Sequence, residues 1–126
     1  MKAVLLIDHG SVKSEANEML AGVAAMVQEM AGAEVIVGYA HMELAEPGIG
    51  PGFDECVRRG ATEVVAFPYM LSPGKHSTRD IPRMVTEAAS KHPGVKYSVT
   101  PAFGIHEKLG EVVLERAGIA PTTAKV

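Results

Sequence analysis

Residues 3–11, AVLLIDHGS, decide the fold. The run from Ala3 to Ile7 is apolar without alternation, which is how a strand covered on both faces reads. It then ends within three steps on Asp8, His9 and Gly10. A buried strand that stops on an ionisable pair and a flexible residue delivers side chains to an edge of the fold.

Outward from this stretch the chain repeats the pattern. Residues 34–40 (EVIVGYA), 63–71 (EVVAFPYML) and 96–103 (KYSVTPAF) are strand candidates, with Gly38, Pro68 and Pro101 weakening their ends. Between them the apolar period changes from two to about 3.6. Ala16, Met19, Leu20, Val23, Met26, Val27 and Met30 share a helical stripe that Ser14 can cap and Gly32 can end, so the methionines read as core packing. A second helix follows EPGIGPG, carries Phe53 and Val57 inward and stops at Gly60. The third runs from about Asp80 through Ile81, Met84, Val85 and Ala88, with Pro82 tolerable only in its first turn. The fourth, HEKLGEVVLERAG, is expected to bury Leu109, Val112 and Val113.

This alternation predicts a βαβαβαβα chain: an α/β, flavodoxin-type three-layer sandwich whose four-stranded parallel sheet has the order 2-1-3-4. In such a sheet the ligand crevice opens beyond the carboxyl ends of the strands, between strands 1 and 3. One domain over residues 1–118 is expected, followed by a frayed tail over 119–126.

Composition narrows the function. Of 126 residues, 47% are hydrophobic and 21% charged, as in a globular protein. A net charge of −3 offers no basic footprint for nucleic acid. No apolar run approaches the roughly 20 residues that span a bilayer, and no signal peptide is recognisable, so a cytoplasmic protein without membrane partners is expected. Cys56 is the only cysteine, so metal chemistry must use nitrogen and oxygen ligands.

Of the five histidines, His9, His41, His76 and His106 fall at the carboxyl ends of the strands and only His92 on the opposite rim. The loops of His9 and His76 flank the switch point, so two imidazoles are expected to face one cleft. Each histidine singly also fits a hydrogen-bonded turn residue. Glu43, in the loop after strand 2, would complete a nitrogen-and-oxygen set suited to divalent first-row metals. Around His76, the cations, hydroxyls and helix N-terminus of KHSTRD (Lys75 to Asp80) favour an anionic ligand, although Ser77 or Asp80 could equally serve as an ordinary cap.

Taken in order, DHGS with EANEML, AHMELAEPGI and PYMLSPGKHSTRDIP resemble the small sirohydrochlorin chelatases of the CbiX and SirB type over nearly the whole chain. That resemblance implies a lyase inserting Co²⁺ or Fe²⁺, or Ni²⁺, into sirohydrochlorin during cobalamin or sirohaem synthesis. It implies no organic cofactor, and metal ion and tetrapyrrole as substrates. His9, His76 and Glu43 would hold the metal and carry the catalysis. Ser11, Lys75, Ser77 and Arg79 would meet the substrate's acidic side chains. Short members of the family pair up, so a homodimer is expected. Val12 and Lys13 stand where the family usually has arginine, and Gly48 where serine is common, which bears on the substrate grip and not on the metal ligands.

Three rival readings stay open at this level. The same histidines could serve a non-catalytic metal or tetrapyrrole carrier. A hydrolase using Ser11 lacks the GxSxG elbow. A phosphoacceptor domain using Asp8 lacks the acidic cluster and the lysine after the last strand.

Overall fold

The computed structural model describes residues 1–122. Eight elements alternate along the chain: β1 (Lys2–Asp8), α1 (Ser14–Ala31), β2 (Val35–His41), α2 (Ile49–Arg58), β3 (Glu63–Pro68), α3 (Lys75–Ala89), β4 (Lys96–Val99) and α4 (Glu107–Ala117). The sheet order is β2-β1-β3-β4 and every pair is parallel. The α/β class and the strand order expected from the sequence are therefore found. Among the described residues no helix is long and apolar enough to cross a membrane.

The larger core lies on one face of the sheet. Ala3, Leu5 and Ile7 of β1 and Val64 and Ala66 of β3 meet Phe53 and Cys56 of α2 and Ile81 and Val85 of α3. Full burial of side chains such as Leu5, Phe53 and Ile81 contributes about 1.5–3 kcal/mol each. Gly52 lets α2 lie close, because a Cβ there would stand 2.9 Å from that of Ala40. Burial in this core pushes the Cys56 thiol up to about 11.

The opposite face is thinner. Leu6 and Val37 pack under Leu20 and Ala24 of α1, with Val23 and Val27 alongside. Here the structure corrects the sequence reading: Met19, Met26 and Met30 are 72%, 53% and 79% exposed. They form a second stripe beside Leu20, Ala24 and Val27. A helix lying over β2 and the near side of β1 buries only one of the two. Gly32 does end the helix, at φ 86°, but Ser14 is already helical and does not cap it.

Three further boundaries differ. β3 stops at Pro68 and β4 at Val99, because the chain diverges where the prolines withhold ladder N–H groups. α3 starts at Lys75 rather than near Asp80, with Gly74 as its extended N-cap and the Thr78 hydroxyl donating to the Gly74 carbonyl at 2.9 Å. Pro82 consequently lies well inside the helix, not in its first turn. In α4 none of the expected burial occurs: Val112 and Val113 are 48% and 65% exposed and Leu109 is only half-buried. Of the tail, residues 119–122 are described and exposed, and 123–126 lie outside the described residues.

Candidate active site

The carboxyl ends of β1 and β2 are bound together beyond the sheet. Parallel register sets Asp8 beside His41. The ladder then continues through Met42 N–H to the Asp8 carbonyl (2.8 Å) and Glu43 N–H to the His9 carbonyl (3.2 Å). Glu43 is thus held next to His9 by the main chain. Gly10 makes this closeness possible. Its φ is 88°, and a Cβ there would run into the Glu43 carbonyl oxygen.

The residues after β2 form a closed excursion. His41 N–H donates to the Pro47 carbonyl at 2.8 Å, so the loop leaves and returns to one point. Within it Leu44 takes φ 69°, a left-handed conformation that costs a non-glycine residue about 1–2 kcal/mol. The loop after β1 is fixed through its side chains. Asn17 of α1 accepts from Ser11 N–H (2.9 Å) and donates to the Ser11 carbonyl (2.7 Å), while the Ser11 hydroxyl accepts from Lys13 N–H (3.0 Å).

The start of α3 joins the same rim through Ser77. This residue is 2% exposed and its hydroxyl lies 3.6 Å from the sulfur of Met42, the neighbour of Glu43. The structure therefore alters the expectation for Ser77, which braces α3 against the β2 loop from inside instead of facing a ligand. Lys75, His76 and Arg79 are exposed in the first turns, and Arg79 reaches Asp80 at 3.6 Å. First-turn N–H groups have no intrahelical acceptor, so this end can receive an anion.

His9, Glu43 and His76 are all exposed on this rim. Their backbones are brought together through the links just described. Among the described residues, no three His, Cys, Asp or Glu side chains stand close enough to enclose a metal ion. The rim thus presents these side chains as separate, exposed donors. Beside it, a groove of about 340 Å³ is lined by Ser11, Asn17, Tyr39, His41 and Glu46, and not by His9, Glu43 or His76.

Sequence reasoning passed over one pair. His41 is 1% exposed and its Nδ1 lies 2.6 Å from Asp8 Oδ1. The signal was available, since the order 2-1-3-4 makes the last residues of strands 1 and 2 neighbours. The remaining histidines have local roles. His106 caps α4 by accepting from Lys108 N–H at 3.1 Å, and His92, on the opposite rim, stacks on Phe53 and meets Asp54 at 2.7 Å.

Residues 3–120 match the model of the CbiX family. The chain belongs to that family. It is 42% identical over 113 residues to the chloroplastic sirohydrochlorin ferrochelatase of Arabidopsis thaliana, an alignment covering 90% of this chain and 50% of the relative. The sirohydrochlorin chelatase SirB of Bacillus subtilis subspecies spizizenii, solved in complex with cobalt, superposes with a TM-score of 0.83 at 31% identity, covering 93% of this chain and 50% of that one. A CbiX protein from Marinobacter aquaeolei VT8 shares the fold at a TM-score of 0.75 and 24% identity, with 94% and 95% of the two chains covered. This CbiX chain therefore spans about half the length of the Arabidopsis and Bacillus relatives and nearly all of the Marinobacter one.

Proposed function

We propose that the chain is a sirohydrochlorin chelatase that inserts Co²⁺ or Fe²⁺ into the tetrapyrrole, working as a homodimer. The observation that carries this reading is the CbiX match over residues 3–120 on a fold whose carboxyl rim carries His9, Glu43 and His76 on adjoining segments. Relatives named for iron and for cobalt support a first-row divalent ion as the metal substrate.

Insertion has two requirements: the metal must shed water, and two pyrrolic protons must leave. His9 and His76, as neutral imidazoles, take the ion from water and stay short of a closed coordination sphere. A closed four-ligand site would trap it. Exposure on an open rim suits that incomplete hold. As ring nitrogens replace the protein ligands, the Glu43 carboxylate, kept beside His9 by the Glu43 N–H to His9 carbonyl bond, can take one proton and the released His9 imidazole the other. Lys75, Arg79 and the first-turn amides of α3 meet the substrate's carboxylates. Ser11 has its hydroxyl engaged with Lys13 N–H and shapes the loop that carries His9.

The test is anaerobic mixing of sirohydrochlorin and Co²⁺ with a catalytic amount of the protein. Repeated turnover, read from the tetrapyrrole's visible spectrum, supports the reading. A shift limited to one equivalent of protein would instead mark a carrier.

A further inference from the structure

Exposed apolar side chains are unevenly placed on the loops of this molecule. Each of the four loops that follow a strand, 9–13, 42–48, 69–74 and 100–106, carries one large exposed apolar residue: Val12, Leu44, Leu71 and Ile105. The three loops of the opposite rim, 32–34, 59–62 and 90–95, carry none among the described residues. Single exposed apolar side chains are ordinary on a surface. One on every loop of the rim that bears His9, Glu43 and His76, and none on the other, is a bias that ordinary surface composition does not explain.

Leu44 differs from the other three in its backbone. It follows Glu43 directly, and its φ of 69° lies in the left-handed region. Glycine adopts that region without penalty and asparagine at a small one, whereas a larger side chain brings its Cβ against the following carbonyl oxygen. The closed loop imposes this conformation, because the Glu43 N–H to His9 carbonyl bond and the His41 N–H to Pro47 carbonyl bond hold the chain on both sides of Leu44. Leu44 is nevertheless 64% exposed, so packing within the chain does little to offset the strain. A strained residue that turns an apolar side chain outward beside a candidate reacting group points to function rather than to folding.

Val12 meets Leu44 at one place. Both line the groove between the first turns of α1 and the loop after β2. The two loops that supply them are the same two that supply His9 and Glu43.

We infer that Leu44, with Val12 across the groove, contacts the face of the tetrapyrrole ring and sets how tightly the ring is held over the metal. This rests on the chelatase reading above and specifies the ring contact. Sirohydrochlorin carries its acidic groups on its periphery, and the two faces of the ring are uncharged. Metal donors must approach one of those faces, so side chains that adjoin His9 and Glu43 in the chain are placed to meet it. Apolar side chains suit that face because contact removes apolar surface from water. A leucine on a loop already fixed by hydrogen bonds also loses little freedom on contact.

The test compares Leu44→Gly, Leu44→Asn and Leu44→Met with the parent chain. Glycine and asparagine suit the left-handed backbone, so urea unfolding should show stability unchanged or raised. Both lack the apolar side chain, so the dissociation constant of metal-free sirohydrochlorin, read by fluorescence titration, should rise about tenfold. The KM for sirohydrochlorin should rise with it, while kcat changes far less. Leu44→Met keeps an apolar side chain of similar volume and should recover most of the affinity. Co²⁺ affinity in the absence of sirohydrochlorin should be the same in all four proteins. Parental sirohydrochlorin affinity in Leu44→Gly and Leu44→Asn, a loss confined to kcat, or a loss of stability in both variants overturns the contact, and the chelatase reading stands as long as the parent turns over. A parent that binds sirohydrochlorin without turnover overturns the chelatase reading, and the dissociation constants alone then decide the contact. A parent that does not bind it overturns both.

Discussion

The buried His41 imidazole meets the Asp8 carboxylate at 2.6 Å, joining the last residues of the two neighbouring strands β1 and β2 directly beneath the rim that carries His9 and Glu43. With the carboxylate as acceptor, Nδ1 carries the proton of this bond. The pair fixes where both loops leave the sheet, since His41 also donates its main-chain N–H to the Pro47 carbonyl.

Removing one partner leaves the other unsatisfied. Asp8→Ala should therefore cost about 1–3 kcal/mol in urea unfolding, and Asp8→Asn, which keeps an acceptor, should cost less. Equal losses for the two variants would mean that the hydrogen bond is not what matters.

Gly10→Ala tests the close approach of the loops. A methyl group at that position collides with the Glu43 carbonyl, and φ 88° is unfavourable for alanine. Destabilisation of about 2 kcal/mol or more is expected, with a larger proportional loss of metal insertion because Glu43 moves away from His9. Gly110→Ala, inside α4 at a position where a Cβ meets nothing within 4 Å, is the control and should not destabilise, gaining instead up to about 1 kcal/mol from helix propensity.

Cys56 gives a pH signature. Its folded thiol titrates at about 11, whereas an unfolded cysteine does so near about 8.5. Between these values the unfolded chain gives up a proton that the folded chain keeps, so the thiol's contribution to stability falls as pH rises. Cys56→Ala should be less stable than the parent by about 1 kcal/mol at pH 7. The difference should shrink and then reverse above about pH 10, the linkage amounting to about 3 kcal/mol when complete. A constant difference from pH 7 to 11 would contradict the burial assigned to this side chain.

Much of the architecture was legible in the sequence because strands covered on both faces write themselves as unbroken apolar runs. Residues 3–7 and the 2-1-3-4 order followed from that pattern and its alternation with helices. What escaped was decided by tertiary context. The apolar residues of α1 make two adjacent stripes, and only the extent of sheet beneath them determines that Leu20 is buried and Met30 is not. The start of α3 at Lys75 depends on Gly74 acting as a cap, a role that glycine's presence in a PG pair disguises as a turn. At the site, the rim positions of His9, Glu43 and His76 could be read from strand ends. The Asp8–His41 bond required the register, and the bracing role of Ser77 required knowing which side of α3 faces inward.

Protons compete with metal for imidazole nitrogen, so acidifying the assay from neutrality should slow insertion at fixed free Co²⁺. A rate that stays level as the solution becomes mildly acidic would argue against histidine as the metal donor.

Metal insertion as proposed requires His9 and His76 to act together. The most direct measurement is the initial rate of Co²⁺ insertion into sirohydrochlorin by His9→Ala and by His76→Ala, at equal concentrations of folded protein. Both side chains are exposed, so both variants should fold normally, and each should fall to the rate of the uncatalysed reaction. Parental activity in either one would contradict the joint role of the two imidazoles.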